Sequence, residues 1–212
     1  MERLPVSVNK SNLLRLREEL LFARDALELL DEKKQVLAAH ITTLSTKAAR
    51  LRAKVNAIVE KSYTHLHEAI VIHGIWNCEK ASMACRLGET LEMRERVFMG
   101  VTLPVLRIEH PPLKPSYGFL GTGITMDLVA KSIYPGLEIM VELAEIEVAL
   151  FRLVTELKKT IRRINALENI YVPLYESTVK HIENGLEERE REFLFQLKRC
   201  KQSREEAIYG SF

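Results

Sequence analysis

The sequence predicts a mainly α protein: a long antiparallel two-helix, left-handed coiled coil, with a small irregular middle segment that has room for a short β-hairpin. Three observations lead there. Residues 12–73 contain neither Gly nor Pro. Seven of the nine glycines and five of the seven prolines fall between Gly74 and Gly136. From Leu137 to Tyr209 only Pro173 and Gly185 interrupt a second helix-favouring stretch. Gly and Pro are the residues least tolerated inside a helix, so their placement divides the chain into three. The expected division is an N-terminal long helix over 1–73, a middle segment at the hairpin end over 74–131, and a C-terminal long helix over 132–212.

The first helix carries a countable seam. Leu13, Leu16, Leu20, Ala23, Leu27, Leu30, Lys34, Leu37, Ile41, Leu44, Ala48, Leu51, Val55 and Ile58 alternate by threes and fours, and Lys34 is the one polar member. An apolar stripe repeating every 3.5 residues on average is the left-handed coiled-coil pattern. Arg15, Arg17, Glu18, Glu19, Arg24, Glu28, Glu32 and Lys33 lie outside it as a solvated face. So narrow a stripe calls for a partner helix rather than a broad core.

In the middle, His65–Cys85 keeps helical character. The stretch from Arg96 to Ile108 is β-branched and apolar, with Gly100 and Pro104 inside, and reads as a short edge strand or hairpin. The segment from His110 to Pro115 and the run Tyr117-Gly-Phe-Leu-Gly-Thr-Gly123 read as loops, with helix resuming near Thr125. The last helix places Ile146, Leu150, Leu153, Leu157, Ile161, Ile164, Leu167, Tyr171, Leu174, Thr178, Ile182 and Leu186 along one stripe, continuing through Arg189, Phe193, Leu197 and Cys200. Pro173 removes a backbone donor there and is expected to kink or loosen the helix. If residues 12 and 200 mark one end and 72 and 132 the other, facing residues sum to roughly 208 at a common rise per residue. Lys34 then meets Leu174 beside Pro173, two defects making one polar notch.

Composition narrows the function. Apolar residues are 47% and charged residues 28%, enough to bury a core. Lys plus Arg is 31 and Asp plus Glu 29, a balance that excludes a polybasic nucleic-acid binder, so no nucleic-acid partner is expected. The longest run without a charged residue, Pro115–Met126, is far shorter than the roughly 20 apolar residues of a membrane span, so direct membrane insertion is not expected either. The N-terminus shows no secretory pattern. Cys78, Cys85 and Cys200 form no paired motif and read as reduced thiols of a cytosolic protein.

The sequence offers little catalytic chemistry. His65 and His67 are two apart and diverge on a helix, so they cannot chelate as an i,i+4 pair does. Gly118, Gly121 and Gly123 suggest a phosphate loop but lack the Lys-Ser/Thr that grips a nucleotide, and no apolar strand precedes them. No nucleophile carries an elbow motif. No catalytic residue, cofactor or metal is expected. Arg15, Arg17, Lys198, Arg199 and Lys201 gather at one tip in the hairpin reading. They either complement a helix dipole or contact a protein head.

The second helix also carries a family pattern. Arg162-Arg163-Ile164-Asn165-Ala166-Leu167-Glu168, then Val172-Pro173-Leu174, then Leu186-Glu-Glu-Arg-Glu-Arg-Glu-Phe-Leu-Phe-Gln-Leu-Lys-Arg resembles the D subunit of V-type and A-type ATPases. Leu29-Leu30-Asp31-Glu32-Lys33-Lys34-Gln35-Val36-Leu37 is similar to that family's Leu-Leu-Lys-x-Lys-Arg-Asp-x-Leu, departing at Asp31, Lys34 and Gln35. Met99-Gly100-Val101 and Tyr117-Gly118 add to the likeness. The resemblance implies a non-catalytic central-stalk rotor. Its helical termini would enter a head of catalytic and non-catalytic subunits (A and B). The small F subunit of the central stalk would bind alongside, and a ring-connector subunit (C or d) would take the other end, leaving the chain cytoplasmic and peripheral to the membrane. Periodicity alone equally fits a non-rotary coiled-coil tether or chaperone arm.

Overall fold

A computed structural model describes residues 4–85, 90–109, 117–118 and 120–209, with side chains described as far as 202. The elements are helix α1 (Lys10–His73), helix α2 (Ile75–Ala84), strands β1 (Thr90–Phe98) and β2 (Val101–Glu109), helix α3 (Ile124–Ala166), a π-helical turn (Leu167–Tyr171) and helix α4 (Val172–Tyr209). Mainly helical, with antiparallel long helices and one two-stranded hairpin, this is the expected architecture. The chain divides into two compact units, Met1–Lys34 with Lys159–Phe212, and Gln35–Lys158.

In the first unit, α1 starts where Asn9 Oδ1 accepts the Asn12 N–H at 2.7 Å, a side-chain cap on an otherwise unpaired helix donor. Leu16 (1% exposed), Val179 and Ile182 form the core, packed by Leu13, Tyr175 and Leu186. Arg17 meets Glu183 and Arg24 meets Glu176, each at 2.5 Å, so α1 and α4 run antiparallel. Ahead of α1, Leu4, Val6 and Val8 pack on the same core as an extended strap. The Leu4 N–H donates to the hydroxyl of buried Thr178, and Arg189 Nη1 donates to the Val8 carbonyl.

These ion pairs correct the expected register: facing residues sum to about 200, which sets Pro173 level with Leu27 rather than Lys34. The polar notch does not form, because the Lys34 ammonium is taken by Asp31 on its own helix at 2.5 Å. Pro173 has a different accommodation. The Val172 N–H reaches back five residues to the Leu167 carbonyl, a π-type bond that widens the turn just before the proline ring. The widened turn moves Tyr171 off the buried stripe, to 48% exposure.

The second unit has two cores. Leu37, Leu103, Ala149 and Leu153 are buried together, with Ile41, Leu44, Phe98, Val101 and Leu157 packed against them, so β2 lies on the α1–α3 pair. Ala69, Ala81 and Met126 form the other, beside Cys78, Tyr117 and Val129. Between them the helices approach closely: Ser132 donates to Ser62 at 3.0 Å, and a Cβ on Gly136 would lie 2.9 Å from Ile58. The hairpin turns on Met99 (φ 50°) and Gly100 (φ 80°), the positive pair that a two-residue turn needs to match strand twist. The His110–Pro115 segment lies outside the described residues.

Candidate functional site

The seam residues differ in burial. Leu16, Leu37 and Leu51 are buried, and Leu13, Leu20, Leu27, Leu30, Ile41, Leu44, Val55 and Ile58 are half-buried. On the second stretch Ile164 is buried, and Leu150, Leu157, Leu167 and Leu174 are half-buried. Ile161 is 37% exposed, its expected place taken by fully buried Thr160. In the family-like motif, Arg162, Arg163, Asn165, Glu168 and Pro173 face solvent, while Ala166 is half-buried. The motif leads into the π turn, where Asn169 Nδ2 donates to the Asn165 carbonyl at 3.0 Å.

The expected basic collar is not assembled. Arg15 pairs with Glu19 at 3.6 Å and Arg17 with Glu183, whereas exposed Lys198, Arg199 and Lys201 lie at least about 22 Å further along α4 at 1.5 Å per residue. The level of Lys10, where its ammonium is 3.4 Å from Glu190, marks the start of α1. Beyond that level α4 runs on and displays Phe193 (60% exposed), Leu194, Phe195 and Leu197. At 100° per residue these four spread over an arc of about 200°, and Glu192, Gln196 and Arg199 lie on the remaining side.

A second apolar set, missed in the sequence, lies on α1. Leu14, Leu21, Phe22 and Leu29 are each at least 60% exposed, one or two positions after a seam residue. Their seven- and eight-residue spacing was the available signal. In the second unit Val71, Ile72, Ile75, Trp76 and Met83 are likewise exposed around the α1–α2 junction, which turns at Gly74 (φ 78°).

The glycine loop has a packing explanation. A Cβ on Gly123 would lie 2.7 Å from the His73 ring, and Gly121 (φ 79°) abuts Asn77. The ring nitrogen Nε2 of His73 is in turn 3.0 Å from the Thr125 hydroxyl. Tyr117 donates its hydroxyl proton to the Asp127 carboxylate. Burial, and then that hydrogen bond beside the carboxylate charge, push the Tyr117 phenol up to about 12. Among the described residues no group of three His, Cys, Asp or Glu side chains is arranged to hold a metal, and no helix is long and apolar enough to cross a membrane. The arrangement offers apolar and charged surfaces for other proteins to bind.

Comparison with known proteins accords with those surfaces. The chain is 35% identical over 203 residues to the D subunit of the A-type ATP synthase of Pyrococcus abyssi, covering 94% of this chain and 95% of that one. It is 34% identical to the D subunit of the A-type ATP synthase of Thermococcus sibiricus, over 93% of this chain and 94% of the relative. With the D subunit of the V-type ATP synthase of Thermotoga neapolitana it shares 32% over 93% and 97%. The family model for the ATP synthase D subunit matches residues 12–202, essentially the whole helical framework. The chain belongs to the family of ATP synthase D subunits.

Proposed function

We propose that this chain is the central-stalk rotor of a V/A-type rotary ATPase, transmitting torque between the ATP-hydrolysing or ATP-synthesising head and the ion-translocating membrane ring. It carries no active centre of its own. The observation that carries this reading is the α4 tail: Phe193, Leu194, Phe195 and Leu197 exposed over an arc of about 200° on a helix that has run past the start of α1, followed by Lys198, Arg199 and Lys201. An exposed apolar arc that wide marks a surface that other proteins cover. A curved sleeve formed by the A and B subunits of the head covers that arc more fully than a flat docking site does. The exposed stripe Leu14, Leu21, Phe22 and Leu29 suits the small F subunit lying alongside. Residues 74–131, with Trp76 and its apolar neighbours, carry the contact to the ring-connector subunit (C or d). The chain acts on catalysis by making different contacts with each catalytic site at each angle, which biases their conformations.

Co-expression with the A and B head subunits tests this. The full chain copurifies with them and raises or couples their ATPase turnover, and a chain truncated after Glu192 loses that association at least tenfold. A chain that stays unbound, or that copurifies and leaves turnover unchanged as a tether does, contradicts the reading.

A further inference from the structure

Within the second unit, the two edges of the hairpin are treated differently. On β2, the Leu106 N–H donates to Glu145 Oε2 at 2.8 Å, and the Thr102 carbonyl accepts from Arg152 Nη1 at 2.7 Å. Both backbone groups therefore point away from β1. Pro104, midway between them, has no N–H to give. Residues 102, 104 and 106 thus occupy the non-hydrogen-bonded sites of the antiparallel ladder, as do their partners Val97, Glu95 and Met93. A residue at such a site turns its own N–H and C=O to the outside of the pair. The outer edge of β1 consequently presents the backbone groups of Leu91, Met93, Glu95 and Val97.

Among the described residues these groups have no partner, and β1 is exposed from Thr90 to Val97. Leu91 (55%), Met93 (67%) and Val97 (68%) stand exposed on one face, with Glu95 between the last two. The other face bears Glu92, Arg94 and Arg96. Glu92 is paired with Arg94 at 3.3 Å, while Arg96 has no ion-pair partner among the described residues. Proteins ordinarily blunt a free edge with charged side chains, a proline, a bulge or a cover. Here β2 is covered by Glu145 and Arg152, whereas among the described residues β1 is uncovered and carries two acidic and two basic side chains, Glu92 and Glu95 with Arg94 and Arg96.

We propose that β1 accepts an extended strand from a partner protein, added edge to edge, with apolar side chains at alternate positions and carboxylates between them. Residues directly opposite in adjacent strands share a face. The incoming apolar residues therefore lie against Leu91, Met93 and Val97, and the carboxylates against the Arg94–Arg96 side. Main-chain bonds supply affinity and the alternating side chains supply selectivity. The assignment rests on the hairpin alone and stands apart from the rotor reading.

The probe is a fluorescein-labelled nine-residue peptide of alternating Val and Glu, titrated into the full chain by anisotropy, with amide NMR to locate it. Saturable binding that perturbs Leu91, Met93, Glu95 and Val97 is expected. Met93→Pro removes one outward donor without touching the β1–β2 ladder and weakens binding by about tenfold or more. Arg96→Glu weakens it too, and a Val–Lys peptide recovers the loss. Should Met93→Pro disturb the hairpin, N-methylating alternate residues of the peptide makes the same test on the unaltered chain, and binding is lost. No saturable binding, or binding indifferent to N-methylation, overturns the proposal. So does a Met93-dependent dimer in sedimentation, which gives the edge to a second copy instead.

Discussion

A side chain with no exposed surface leaves a cavity when it is shortened, and Ile182 (0% exposed) and Leu16 (1%) are such a pair in the first unit. Ile182→Ala is expected to cost about 2–5 kcal/mol in denaturant unfolding. Arg24→Ala, which removes a well-formed but solvent-exposed pair with Glu176, costs no more than about 1 kcal/mol in the same measurement. The contrast separates what holds the helices together from what decorates them. Tyr117 makes a pH-dependent prediction. Its phenol is raised from 10 to about 12, so the protonated form is favoured by the fold. That contribution is whole below pH 10 and is lost as pH climbs toward 12. Ultraviolet titration should show one tyrosine ionising late, and Asp127→Asn should bring its midpoint down. Core residues such as Leu16 and Leu37 were legible in the sequence because a 3.5-residue repeat leaves them one direction to face. Leu14, Leu21, Phe22 and Leu29 were not, since their seven- and eight-residue spacing follows one or two positions behind the seam and merges with it in sequence. Gly121 and Gly123 were read as a loop, but the reason for the glycines was hidden: the sequence does not display the Asn77 and His73 side chains that lie against them.

Helices and strands were legible in kind and less so in position. The absence of Gly and Pro over 12–73 announces α1, and the clustered breakers announce its end, because both effects are local to the backbone. Register is not local. It depends on where each helix is stopped by its neighbours: α1 begins at the Asn9 cap level with Glu190, and α3 begins at Ile124. The shift of about eight residues that resulted moved Pro173 away from Lys34 and dissolved the notch. The π turn was equally hidden, because a proline demands relief without specifying its form. Leu44, half-buried among the packing of Leu37 and Leu153, tests α1 as an element. Leu44→Pro removes a helix donor and clashes with the preceding turn, at a cost of about 3 kcal/mol or more. Circular dichroism should record the lost helicity. Full helicity in that variant would remove Leu44 from the seam.

At the scale of the whole molecule, membership of the ATP synthase D-subunit family rests on identity along nearly the full chain, and the exposed surfaces give that membership a physical sense. Within each unit the repeat packs α1 against its neighbour, Leu16 against Ile182 in the first and Leu37 against Leu153 in the second, and a paired helix is stiffer than a single one. The surfaces that would grip other proteins of the complex were only partly readable. The cations at Lys198 and Arg199 stood out, but Arg17 lies level with Glu183, at least about 22 Å short of them along α4, so no collar forms. Rotation itself is the direct test. Cys85 is exposed at the end of α2. With Cys78 and Cys200 replaced by serine, a bead attached there reports the motion of this chain within an immobilised A–B head. If the chain is the rotor, the bead turns in one direction and at a rate that follows ATP concentration. A bead that stays fixed while the same complexes hydrolyse ATP would show that this chain is not the rotor.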